Sequence, residues 1–135
     1  MGYLILTNNP LLKGEAKVSF VDGNYLDTLI KARDLVHKGH KLISSPLAAS
    51  IRMMFSPYRS ILLEEKTSNI NQYYIDTIET SIITYKKHME VREVDLVNEK
   101  DYAIIDKELL RGAIEEHEAM NNMEVENLEA WIKKN

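Results

Sequence analysis

Cysteine is absent from this chain. That one absence excludes a disulfide framework, an iron–sulfur cluster, a thiolate zinc site and a cysteine nucleophile. Long apolar runs are absent too. No segment approaches the ~18 consecutive apolar residues of a membrane span. Met1 to Leu6 lack the basic flank and the length of a secretory signal. Gly2 has no Ser or Thr at position 6, so myristoylation is not indicated. A cytoplasmic protein that neither crosses nor anchors in a membrane is the expectation.

The motifs of common chemistries are also missing. No G-x-G-x-x-G follows the first apolar run, no G-x-x-x-x-G-K-[ST] phosphate loop occurs, and there is no H-E-x-x-H. No G-x-S-x-G elbow supplies a hydrolase nucleophile. His37-Lys38-Gly39-His40 comes nearest to a metal pattern, but Gly39 is expected to end the helix between the two histidines. Catalytic zinc needs three protein ligands, so no metal site and no cofactor are expected, and His37 reads as a helix-dipole partner.

The residues present describe a folded domain. At 135 residues and 44% hydrophobic, the chain is long and apolar enough to bury a core. We expect a single α/β domain over 1–135, with a strand-rich part at 1–65 and a helical part at 69–135. Charge divides the same way. Residues 1–63 carry eight Lys/Arg and four Asp/Glu, whereas residues 64–135 carry nine and seventeen. Nucleic-acid binding needs a dense basic surface. Lys38, His40, Lys41, Arg52 and Arg59 provide too little beside so acidic a half, so no nucleic-acid partner is expected. The acidic half reads either as a solvated helical face or as a face that docks a partner.

Along the chain, Tyr3 to Thr7 is a short apolar run stopped by Asn8-Asn9-Pro10 and reads as a buried strand. Ala16 to Val21 alternates and reads as a second strand. Asn24 is placed to cap a helix, with Asp27 in its first turn and Gly39 as its stop. Lys41 to Ser44 and Tyr58 to Leu63 read as third and fourth strands, separated by an irregular stretch with one helical turn around Ala48 to Met53. From Asn69, the positions Ile70, Tyr74, Ile78, Ile82, Tyr85 and Met89 recur every three or four residues. That spacing predicts an amphipathic helix of about six turns.

Tyr102 to Ile105 is either a short strand or a helix start. Asp106 is expected to cap the next helix, with Leu109, Leu110, Ala113, Ile114 and Met120 inward. Asn121-Asn122 is expected to separate a last helix carrying Val125, Leu128, Trp131 and Ile132. The sum is a four- to five-stranded, mostly parallel sheet with a Rossmann-like order of elements.

In such a sheet ligands bind beyond the carboxyl ends of the strands. Asn8, Asn9, Asp22, Ser45, Ser50 and Arg52 fall at those ends. They are the candidate ligand-binding residues, with an anionic small molecule as the fitting ligand because a guanidinium grips carboxylate or phosphate through two parallel bonds. Arg59 is a second candidate clamp, although its place in a strand also suits the core. The same residue types are simply what turns use, and that reading stays open.

Four strings carry a family resemblance: Leu6-Thr7-Asn8-Asn9-Pro10, Asp34 to Leu42 (DLVHKGHKL), Pro46 to Ile51 (PLAASI) and Pro57 to Leu63 (PYRSILL). In these the chain resembles the GrdX family, small proteins whose genes accompany the glycine, sarcosine and betaine reductase systems of anaerobic bacteria. The resemblance implies a process, anaerobic amino-acid reduction, with reductase subunits as partners. It brings no catalytic residues with it. The expectation is a non-enzymatic accessory or regulatory protein; the alternative is a small-metabolite binder or enzyme using the strand-end residues.

Overall fold

The computed structural model describes residues 2–134. Strand β1 (Tyr3–Thr7) leads through a 3-10 turn (Pro10–Leu12) to β2 (Val18–Phe20). Helix α1 (Tyr25–His37) and strand β3 (His40–Leu42) follow, then a second 3-10 turn (Ile51–Phe55), β4 (Ser60–Thr67), α2 (Gln72–Met89) and α3 (Glu99–Lys134).

The start of α1 follows its local chemistry. The Asn24 side chain accepts from the Asp27 N–H while the Asp27 carboxylate accepts from the Asn24 N–H, satisfying two donors that a helix start leaves open. Gly39 ends it at φ +105, a conformation open to glycine. Its carbonyl accepts from Ser68 N–H at 3.0 Å, and a Cβ here would strike the Ser68 carbonyl oxygen.

The four strands are ordered β2-β1-β4-β3. β1 pairs in parallel with β2, but β4 lies antiparallel to both β1 and β3. The sheet is therefore mixed, with most of its pairings antiparallel, and the expected mostly parallel, Rossmann-like arrangement is corrected. The reason is the connection before β4. A parallel neighbour needs a crossover that carries the chain back across the sheet, usually a helix. Between Ile43 and Arg59 the chain forms only a 3-10 turn and re-enters the sheet beside β3, running back.

Alternation along β1 and β4 then sends side chains to two cores. Leu6, Ile61 and Leu63 face α1 and α2, where Tyr25, Leu29, Ala32, Val36, Ile78, Ile82 and Tyr85 complete the larger core. Ile5 and Leu62 face the other way, toward Leu12 and Leu110.

The acidic end of the chain differs from the sequence reading. Tyr102 to Ile105 is helical, Asp106 lies inside α3 and does not cap it, and Asn121-Asn122 does not interrupt the helix. Asparagine in a helix interior costs only about half a kcal/mol relative to alanine. With no proline and only Gly112 between Glu99 and Lys134, nothing stops the run. Of the residues expected to face inward, Leu110 is buried and Ala113 and Ile114 are half-buried, but Leu109 and Met120 are exposed. The Val125 side chain lies outside the described residues.

Candidate functional site

Since β1, β2 and β3 run one way and β4 the other, the last residues of the first three and the first residues of β4 share one rim. Thr7 pairs with Ser60 there, and their hydroxyl oxygens are 2.7 Å apart. A carboxylate from α3 reaches into this rim. Asp106, 1% exposed, accepts from Ser60 N–H through Oδ1 at 3.0 Å. Its Oδ2 accepts from the Ser60 hydroxyl at 2.6 Å and from Asn9 Nδ2 at 3.0 Å.

Those bonds fix the direction of a proton chain. Ser60 has one hydroxyl hydrogen, and it goes to Asp106, so the Thr7 hydroxyl donates to Ser60. Thr7 Oγ1 in turn accepts from Asn9 N–H at 3.0 Å. The remaining Asn9 capacity is also used: Nδ2 donates to the Ala103 carbonyl at 2.8 Å, and Oδ1 accepts from Leu11 N–H at 3.0 Å, capping the turn that begins at Pro10.

A second set of bonds ties the neighbouring loops together. Asn8 Nδ2 donates to the carbonyls of Gly23 at 3.0 Å and Pro57 at 2.9 Å, and its Oδ1 accepts from Arg59 N–H at 2.8 Å. The buried Arg59 guanidinium donates from Nε to the Pro46 carbonyl at 2.9 Å and from Nη2 to the Ser45 carbonyl at 2.6 Å. Tyr25 packs below and accepts from Ala48 N–H at 3.2 Å. Burial pushes its pKa up, and the positive charge of Arg59 offsets part of that rise.

The rim is chemically closed. Among the described residues, every buried side-chain nitrogen or oxygen has a partner. The Ser60 hydroxyl points at a carboxylate and is itself buried. No three His, Cys, Asp or Glu side chains among the described residues come together to hold a metal.

The six candidate residues from the sequence separate into two kinds. Asn8 and Asn9 are buried stitches of the rim, whereas Asp22, Ser45, Ser50 and Arg52 are exposed. Asn8, the loop after Asp22 and the Ser45 carbonyl do meet, through Gly23 and Arg59. Ser50 and Arg52 flank Ile51, which lines a recess with Ile83, Lys87 and Arg92 at the far end of α2. Thr7, Ser60 and Asp106 were not among the candidates. The signal for Asp106 was available: it shares a helical face with Ala103 and Leu110, so it is a carboxylate on an apolar stripe.

The open surface lies on the other side of the sheet. One helix covers that face, and the uncovered strip beside it forms a groove of about 690 Å³. Ile5, Leu12 and Val18 line it from the strand side, and Ile104, Leu110 and Ile114 from α3. Glu15, Lys107, Glu108, Arg111 and Glu115 also border the groove. Arg111 Nε donates to Glu108 at 2.7 Å, and its Nη1 donates to Glu115. These two carboxylates, Glu108 foremost, raise the Arg111 pKa above its ordinary value. No helix among the described residues is long and apolar enough to cross a membrane.

A family model described as "GrdX-like protein" matches residues 4–115. That span contains the whole polar rim and the groove, and it stops within α3. No curated protein and no solved structure matches the chain.

Proposed function

Since the chain belongs to the GrdX-like family, we propose that it is a non-catalytic accessory protein of the anaerobic glycine, sarcosine and betaine reductase systems. In this reading it works by holding a reductase subunit against the groove beside α3. The observation that carries the proposal is the contrast between a polar rim whose buried side-chain nitrogens and oxygens all have partners and an apolar groove left open to water. A recess lined by Leu12, Leu110 and Ile114 and bordered by alternating charges suits an apolar segment with polar flanks better than it suits a small anion.

The test is direct binding to purified reductase subunits, measured by calorimetry, with a thermal-shift screen over glycine, sarcosine, betaine and phosphate alongside. Binding of a subunit that is lost in Ile114→Arg and kept in Arg52→Ala is the expected result. A flat subunit titration, together with a ligand-induced rise in melting temperature that disappears in Arg52→Ala, would overturn the proposal in favour of a metabolite site at the strand ends.

A further inference from the structure

A second open apolar surface lies at the far end of α2, on the face of the sheet opposite the groove. The buried stripe of α2 runs through Ile78, Ile82 and Tyr85. Ile83 stands one residue on, turned about 100° away from Ile82, and is 65% exposed. It meets two further aliphatic side chains left in water, Ile51 at 53% and Val91 at 84%. Together they line a recess of about 470 Å³ between the last turns of α2 and the 3-10 turn Ile51–Phe55. The two walls are tied together: Asp95 N–H donates to the Phe55 carbonyl at 2.9 Å, and the Arg92 guanidinium lies over the Phe55 ring at 5.6 Å.

The polar part of the lining is cationic. Lys87, His88 and Arg92 line the recess, and no acid does. Arg52 is exposed beside Ile51. Among the described residues no ion pair joins any of these four to an acid, since the ion pairs formed involve Arg33, His37 and Arg111. Glu90 and Glu93 are the nearest acids in sequence and lie outside the lining. Asp76, two turns earlier on the same side of α2, accepts from Gln72 at 2.7 Å. A helix C-terminus favours cations, which accounts for Lys86, Lys87 and His88 in the last turn. It does not account for Arg52 and Arg92, which stand outside α2, nor for three aliphatic side chains gathered in water.

We propose that this recess is a docking site for an acidic amphipathic helix of a partner protein. Charge selects the sign of the partner: unpaired cations around an apolar floor are complementary to carboxylates flanking aliphatic side chains. Shape selects a helix. The recess offers no strand edge, so an extended segment would leave its own N–H and C=O groups without partners, whereas a helix satisfies them internally. Apolar residues at i, i+3 or i+4 and i+7 of an incoming helix span about 10 Å, close to the two turns of α2 from Ile83 to Met89. The site is independent of the groove beside α3 and lies on the other side of the sheet.

The test uses a dye-labelled 18-residue helical peptide with leucine on one face and glutamate on the other, titrated with the full chain and read by fluorescence anisotropy. Binding with a Kd of about 10–300 µM is expected, weakening as salt screens the charges. Ile83→Asp weakens it at least about tenfold with the far-UV circular dichroism unchanged. A peptide with lysine in place of glutamate does not bind the natural chain but does bind the double variant Lys87→Glu, Arg92→Glu. Ile114→Arg, in the groove, leaves the affinity unchanged, which separates this surface from the one proposed for the reductase subunit. No binding up to about 1 mM overturns the proposal, as does equal affinity for the two peptides or indifference to Ile83→Asp. Octanoate binding as tightly as the peptide gives the recess to a small carboxylate and overturns the helix.

Discussion

The two faces of the sheet are built on different principles. Against one face, α1 and α2 bury a continuous apolar core in which Leu29, Ile61, Leu63 and Ile78 are fully inaccessible and Tyr25 stacks on Tyr85 at 4.6 Å. Against the other, α3 alone meets a core of four buried residues, Ile5, Leu12, Leu62 and Leu110, and leaves a groove beside it. What the second face lacks in apolar area it supplies through Asp106, whose carboxylate accepts from Ser60 and Asn9 inside the rim. Area-driven packing tolerates small displacements. A buried carboxylate with three donors does not, because each donor left without an acceptor costs about 1–3 kcal/mol. One face is thus held by many weak contacts and the other by a few directional ones.

Removing the directional contacts should have the largest effect. Asp106→Ala leaves the Ser60 N–H, the Ser60 hydroxyl and Asn9 Nδ2 short of an acceptor, and we expect a loss of about 3–5 kcal/mol in urea unfolding. Hydrogen exchange should show α3 amides losing protection while those of α1 and α2 keep theirs. Equal loss across both faces would break the comparison.

Truncation of matched leucines sharpens it. Leu29→Ala empties a site walled on every side and should cost about 3–5 kcal/mol, whereas Leu110→Ala borders the groove, where water can enter, and should cost about 2 kcal/mol. Equal costs for the two would show that the groove side is packed as tightly as the core.

The smallest effect at neutral pH comes from the tyrosines of the larger core. Burial raises the pKa of both Tyr25 and Tyr85, the latter to about 12 with the neighbouring Tyr25 adding to the rise. A phenol whose pKa is higher in the folded chain contributes stability that is complete below the ordinary value of about 10 and is lost as pH climbs toward the folded value. Melting temperature should hold constant between pH 7 and 9 and fall above about pH 10. Tyr85→Phe should blunt that fall, which is checked by calorimetric scans across alkaline buffers. A fall unaffected by Tyr85→Phe would place the alkaline weak point elsewhere.

How much of this was legible in the sequence depended on whether local chemistry decided it. The Asn24–Asp27 capping box, the stop at Gly39 and the buried run from Tyr3 to Thr7 all follow from neighbours in the chain, and each stands where the spacing put it. Strand direction does not follow from neighbours. Ile61 to Leu63 reads as the same apolar run whether β4 lies up or down, and only the course of the chain through Ile51–Phe55 decides.

The strand-end cluster was legible as a place but not as a role. Asn8 does converge with Gly23 and, through Arg59, with Ser45, but its side chain is consumed by the backbone of Gly23, Pro57 and Arg59, and that of Asn9 by Leu11, Ala103 and the Asp106 carboxylate. One-dimensional spacing carries no record of those partners. Asp106 was misread because an aspartate before an apolar run is the usual sign of a helix start. Its actual partners, Asn9 and Ser60, lie on the first and fourth strands.

That last connection has a consequence for how the chain is made. Asn9 and Ser60 leave the ribosome well before residue 106, and the helices of the larger core are complete by Met89. A nascent chain can therefore assemble the sheet and its α1–α2 side while the Ser60 and Asn9 donors still face water. The rim becomes dry only when α3 arrives, after both helices of the larger core are in place.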